Sequence, residues 1–382
     1  MIYADNASTT KISDTAFTAM LPFMQEQYGN ASSQYSLGLK ARRAVEQSRR
    51  QVANAIGATM SEIVFTSGGS EGNSWVLQGI VALYNEPIHI ITTVIEHHSV
   101  LNCCRVLESQ GNAITYLPVD GNGCVLLEDV MSALRPSTKL VSIMLANNEI
   151  GTIQPIAKIG TKLRERGVIF HTDAVQAIGH IPVDVNELQV DFLTASAHKF
   201  HGAKGVGFVY MRKQVYLPKS IFGGEQEHDK RGGTENVAGI VALGSAIEES
   251  VVLLDAERER ISSMIQATIN GIQSEIPDVC ITGEHAKRLP GILNITLPGV
   301  SGESMMHLLD LKGICVSTSS ACNAGKNKSS HVLLATGLTD EQAKSSIRIS
   351  YGRYNTEEDV RTVISAICAI YKKVMTAKAT GD

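Results

Sequence analysis

Lys199 closes a short polar run, Ser196-Ala197-His198-Lys199, that follows the apolar stretch from Val190 to Thr194 and precedes a glycine-rich turn at 202–207. The stretch reads as a buried strand, which puts the lysine at its end, inside a cleft. Burial disfavours the ammonium form and yields the neutral amine that carbonyl chemistry needs. Asp173 ends an earlier strand, one strand–helix–strand unit before Lys199. A buried carboxylate there asks for a cationic donor, and a pyridinium N–H would supply one. The segment Thr66-Ser67-Gly68-Gly69-Ser70-Glu71-Gly72 follows a strand and opens a helix. The backbone N–H groups around Gly69 and the Ser70 hydroxyl could take a phosphate there. His97, after Val94-Ile95, offers an imidazole that can lie flat on an aromatic ring, and Asn147-Asn148-Glu149 adds an amide at another strand end. Each group alone has a plainer reading: a snorkelling lysine, a capping aspartate, a capping loop, a structural histidine. In this order the five describe a pocket for pyridoxal 5'-phosphate, whose phosphate, ring nitrogen and aldehyde the protein must each serve.

The elements that must position these groups alternate. Runs at Glu62–Phe65, His89–Thr93, Val141–Leu145, Val168–His171, Val190–Thr194 and Phe208–Tyr210 read as strands. Helices are expected over 13–24, 37–55, 73–84, around 98–103 and 158–166. The alternation predicts an α/β protein, a mostly parallel sheet flanked by helices, with ligands at the carboxyl ends of the strands. After about residue 250 the texture changes to a charged helix (253–272), strands near 291–295 and 315–316, and a last helix over 356–377. This predicts an arm (1–12), a large cofactor-binding domain (13–254) and a smaller α+β domain (255–382).

Bulk composition excludes several classes. In 382 residues, 43% are hydrophobic, 19% charged and only 5% aromatic, which suits a globular α/β enzyme rather than a disordered or fibrous chain. A formal net charge of -4 gives no electrostatic case for nucleic acid as the main partner. No apolar run is expected to span a membrane, and the first residues lack a basic n-region, so the cytoplasm is the expected location. Seven cysteines with no regular spacing argue for buried thiols rather than a disulfide or zinc framework, and no metal is expected.

The quoted motifs, with Ala146-Asn147-Asn148-Glu149-Ile150-Gly151 and Arg231-Gly232-Gly233-Thr234-Glu235-Asn236, resemble those of the NifS/IscS cysteine desulfurases. These are fold-type I pyridoxal-phosphate enzymes of the class V aminotransferase group, and the similarity runs from Asp5 to Arg348. The resemblance implies that Lys199 joins the cofactor, Asp173 faces the ring nitrogen and His97 stacks on the ring. Asn148 and Gln176 fall near the ring oxygen, and Ser70, Ser196 and His198 at the phosphate. Thr234 would be contributed by the other subunit of a homodimer. Arg348 would grip the substrate carboxylate, and Asn30 falls at a substrate-binding position. The segment 317–325 carries Cys322 in the family's nucleophile pattern, and its small polar residues predict a mobile loop. The implied reaction converts L-cysteine to L-alanine, leaves a persulfide on Cys322 and passes the sulfur to an acceptor protein for Fe–S assembly or tRNA thiolation. Selenocysteine lysis, transamination or epimerisation on the same scaffold, and a non-catalytic scaffold role, are the alternatives. Tyr35, Ser70, Ala203 and Ser319 depart from the usual histidine, threonine, proline and glycine.

Overall fold

A computed structural model of the chain describes residues 1–318 and 329–380. Its strands are β1 (Ile2–Tyr3), β2 (Ile63–Thr66), β3 (His89–Thr93), β4 (Ala113–Leu117), β5 (Thr138–Ser142), β6 (Ile169–Asp173), β7 (Phe192–Ser196), β8 (Gly207–Met211), β9 (Cys280–Ile281), β10 (Ile292–Thr296), β11 (Ile314–Cys315), β12 (Ser317–Thr318) and β13 (Ser346–Ser350). Seven of them form the central sheet in the order β2-β8-β7-β6-β5-β3-β4. All its neighbours are parallel except those made by β8, which runs against both β2 and β7. Both faces of such a sheet are covered, and β2, β3, β7 and β8 are accordingly buried along their whole length. The pairing Asp173↔Thr194 aligns the ends of β6 and β7, while Gly207 pairs with both Ser196 and Thr66. The last residues of β2, β6 and β7 therefore meet at one rim of the sheet.

Helices α1 (Asp14–Gln25), α2 (Ser36–Ala55), α3 (Gly69–Val81) and α4 (His98–Ser109) flank this sheet. The first starts where expected because the Ser13 hydroxyl accepts the Ala16 N–H at 3.1 Å. A second, four-stranded antiparallel sheet, β12-β13-β10-β9, packs its own apolar core of Ile265, Ile269, Leu293, Ile347 and Val363. Each such fully buried aliphatic side chain contributes roughly 1.5–3 kcal/mol.

The long helix spans Val237–Glu275, beginning well before the expected 253 and running through the expected boundary at 254/255. Its first half is apolar and small because α1 and α2 lie against it, with Ile240, Leu243 and Ala246 in the large core and Ile261 to Ile272 in the second. Contrary to the sequence expectation, this helix is long and apolar enough to cross a membrane. Its apolar residues face these two cores, as in the buried helix of a globular protein. β4 and β13 were not anticipated as strands. The strand expected at 141–145 is paired with β3 and β6 over Thr138–Ser142; beyond it the apolar chain continues toward the rim, donating from Ile143 and Leu145 to β6.

The N-terminal arm joins the two sheets. β1 pairs with β11, and the Ala7 N–H donates to Ser350 Oγ at 2.9 Å. Thr10 then donates, through N–H and hydroxyl, to the carbonyl of His198.

Candidate active site

Gly69, Ser70, His97, Asn148, Asp173, Gln176, Ser196, His198, Lys199 and Arg348 all line a single cavity of about 420 Å³ at the rim where β2, β6 and β7 end. The structure thus gathers residues separated by as much as 279 positions in the chain (348 − 69). Asn30 and Thr234 are not on its wall: both are exposed, and the Asn30 carboxamide oxygen accepts the Ser32 N–H at 2.8 Å. Cys322 lies outside the described residues. Thr318, the last described residue before that stretch, does line the cavity.

Asp173 is buried, and its carboxylate accepts from the Val175 N–H (2.9 Å) and from Asn73 Nδ2 (2.6 Å). Asn73 also donates to Ser99 Oγ at 2.8 Å, and that hydroxyl lies 2.8 Å from His97 Nδ1. The Ser99 N–H donates to the same ring nitrogen at 3.2 Å, so the neutral imidazole carries its proton on Nε2. Burial holds the His97 pKa below its ordinary value, against the opposing pull of Asp173. Asn73 and Ser99 were missed by the sequence reading. The helix was expected to begin at Asn73, which hid the residue as a terminus, whereas α3 starts at Gly69 and turns Asn73 inward.

The opposite end of the cavity is a cradle. The first N–H groups of α3, at Gly69 and Ser70, face Ser196 and His198 across a connected opening that also holds Lys204. A Cβ on Gly69 would come 2.7 Å from Val175 Cγ2, so this approach needs glycine. Burial, with the neighbouring Lys199 and Lys204, lowers the His198 pKa to about 4, leaving a neutral ring with one N–H to donate.

Between the two ends, Lys199 Nζ donates to the carbonyls of Ala7 (2.6 Å) and Ser8 (2.7 Å). The Gln176 amide donates to the Ala7 carbonyl at 2.8 Å, so the arm is part of the wall. On the far side, Arg348 Nη1 donates to the Asn148 carbonyl at 2.8 Å. Of the two adjacent asparagines, Asn148 faces the cavity. Asn147 holds the turn, accepting from the Glu149 and Ile150 N–H groups. Glu149 is a buried carboxyl on the same wall that accepts from Ser330 Oγ at 2.5 Å; burial pushes its pKa up to about 7, opposed by Ser330 and Arg348.

The residues present fit pyridoxal phosphate. A buried carboxylate with no cation among its hydrogen-bond partners stands at one end, a helix N-terminus with two hydroxyls and a neutral histidine at the other, and a primary amine between them.

The aminotransferase class-V family matches residues 2–363, and the chain belongs to it. Its fold is that of the fold-type I pyridoxal-phosphate enzymes. The chain is 46% identical over 376 residues to the cysteine desulfurase IscS of Dictyoglomus turgidum, covering 98% of this chain and 95% of that protein. A solved NifS-like protein superposes with a TM-score of 0.92 at 37% identity, covering 97% of this chain and 99% of that one. The structure of SspA in complex with cysteine matches with a TM-score of 0.84 at 34% identity, covering 93% and 100%.

Proposed function

We infer that the protein is a pyridoxal-phosphate-dependent cysteine desulfurase that converts L-cysteine to L-alanine and leaves a persulfide on Cys322. The observation that carries this is the placement of Lys199, Asp173, His97 and Arg348 around one cavity whose wall Thr318 joins, four residues before Cys322. Asp173 would hold the ring nitrogen of the cofactor, the α3 cradle with Ser70, Ser196 and His198 its phosphate, and Lys199 its aldehyde carbon. Bound there, the cofactor supplies an electron sink for carbanion chemistry next to the substrate amine.

The chain's own residues do the rest. Arg348 binds the α-carboxylate through its planar fork. Lys199 Nζ, as a neutral amine, takes the Cα proton and returns a proton to the carbon skeleton. His97 Nε2–H lies on the cavity wall, where it can hand a proton to or from the substrate thiol. The Cys322 thiolate bonds the substrate sulfur as the Cβ–S bond breaks, with the bonding pair left on carbon and then protonated. L-cysteine plus the enzyme thiol gives L-alanine plus the enzyme persulfide, so this half-reaction needs no outside oxidant or reductant. The persulfide then passes to an acceptor protein. Thr234, exposed and off the cavity of its own chain, is assigned to the cavity of a second copy in a homodimer.

The test is L-cysteine turnover with L-alanine and, in the presence of dithiothreitol, sulfide as readouts. Lys199→Ala should abolish both products, and Cys322→Ala should abolish them while the protein still binds the cofactor. Full alanine formation by Cys322→Ala would sink the assignment of the nucleophile.

A further inference from the structure

The guanidinium of Arg348 is already engaged at Nη2. Nη2 donates to Asp5 Oδ1 at 2.7 Å and to Ser8 Oγ at 2.6 Å, and the Ser8 hydroxyl donates in turn to Asp5 Oδ1 at 3.0 Å. Both N–H bonds of Nη2 are thereby used. A guanidinium holds a carboxylate at two points through either its Nη1/Nη2 edge or its Nε/Nη2 edge, and Nη2 belongs to both. An incoming α-carboxylate can be gripped at two points only if Ser8 or Asp5 gives up an N–H. Ser8 lines the cavity and Asp5 does not, so the group that yields to a ligand arriving from the cavity is Ser8.

Asp5 then remains behind the guanidinium, in an ion pair with side chains only 6% (Arg348) and 18% (Asp5) exposed. The charge count follows. Arg348 and Asp5 sum to zero before a ligand arrives, and an α-carboxylate brings this end of the cavity to one net negative charge. The other carboxyl on the wall, Glu149, adds no positive charge. Lys199 stands on the arm carbonyls and is committed to the cofactor. Among the described residues of the wall, a second acidic group on the ligand side chain would therefore meet no further cation, where low dielectric makes repulsion costly.

We propose that Asp5 is a specificity-determining residue: it neutralises Arg348 from behind, so that the cavity takes amino acids with an uncharged side chain and turns away acidic ones, while Ser8 yields its place on the guanidinium to the α-carboxylate. The inference rests on the reading of this cavity as an amino-acid site and adds to it a reason for selectivity.

Isothermal titration of the holoenzyme with L-alanine and with L-aspartate tests it without requiring turnover. Wild type should bind alanine and bind aspartate much more weakly. Asp5→Asn keeps an acceptor for Nη2 and Ser8 but removes the charge, and should tighten aspartate binding about tenfold while alanine changes less than about threefold. Asp5→Glu, which restores the charge, should restore the wild-type ratio. An unchanged alanine-to-aspartate ratio in a folded Asp5→Asn protein overturns the proposal. So does a wild type that binds aspartate as tightly as alanine, a result that needs no variant. A wild type that binds neither amino acid overturns the amino-acid reading of the cavity itself, which separates the two failures.

Discussion

Replacing Glu227 by glutamine should cost the fold about 3 kcal/mol and loosen the segment that leads to Thr234. Arg49 on α2 and Glu227 form a bidentate pair (2.8 and 2.9 Å) with side chains 2% and 4% exposed. The same guanidinium donates to the Ile63 carbonyl, and the same carboxylate accepts the Phe65 N–H at 2.7 Å. The pair therefore clamps residue 227 onto β2. Breaking one side of a buried pair costs roughly 3–5 kcal/mol, because the other charge stays buried without compensation. Glutamine keeps one neutral acceptor, worth about 1 kcal/mol, which places the expected loss near 3. Glu227, His228 and Asp229 also hold left-handed backbone angles (φ 51, 55 and 64), a conformation that costs each on the order of 1–2 kcal/mol unless contacts enforce it. The enforcing contact is the one removed. Urea unfolding at pH 7 should show a lower midpoint, and hydrogen exchange should speed up at amides 226–234. An unchanged midpoint at unchanged slope, with unchanged exchange there, would refute the reasoning.

Two further outcomes follow from other parts of the molecule. Glu96 is fully buried, accepting from Thr93 Oγ1 and the Met144 N–H, and burial raises its pKa to about 8. With the folded value above the unfolded one, the stabilisation is complete below about pH 4.5 and lost as pH rises through 8, at roughly 1.4 kcal/mol per pH unit. Glu96→Gln should accordingly show a smaller fall in melting temperature between pH 6 and 9 than wild type; an equal fall would mean that Glu96 is not held protonated. Gly207→Ala places a Cβ 2.4 Å from the Ala195 carbonyl and 2.7 Å from Gly68 Cα, both backbone atoms that cannot swing aside. It should cost at least about 1–3 kcal/mol by overpacking and weaken pyridoxal-phosphate affinity, measured by equilibrium dialysis, because Gly68 leads directly into the cradle. Unchanged affinity would show that the cradle does not depend on this contact.

The rim residues were legible because each chemical group ends an apolar run, and in a parallel sheet strand ends collect on one edge. That pattern singled out Asp173 and Lys199, while Ser196 and His198, beside the lysine, were named for the phosphate only through the family resemblance. What stayed hidden was what reaches the rim from elsewhere. For the phosphate cradle at Gly69 and Ser70, itself legible, only the geometry was hidden: the helix was expected from Asn73, yet both residues form the first turn of α3, where the missing side chain of Gly69 permits close approach to β7 and Val175. Asn73 and Ser99 act through hydrogen bonds to residues distant in the chain, which no local pattern reports. The early half of the helix Val237–Glu275 reads as a run of small apolar residues and becomes helical through the helices packed on it. The arm was legible as extended chain, but not as a wall of the cavity.

That arm also sets the order in which the molecule can be finished. Its ties reach from residue 7 to residue 350 and from residues 7 and 8 to Lys199, so they close some of the largest loops the chain can make. Contacts of such sequence separation are entropically the last to form. During synthesis residues 5–10 emerge long before β13 and must wait until it has left the ribosome before they can seat against Ser350 and Arg348. Until then the arm's ties to Lys199 stand without those to Ser350 and Arg348. A segment made well before its partners is thus the closing piece, and a half-made chain carries no competent site.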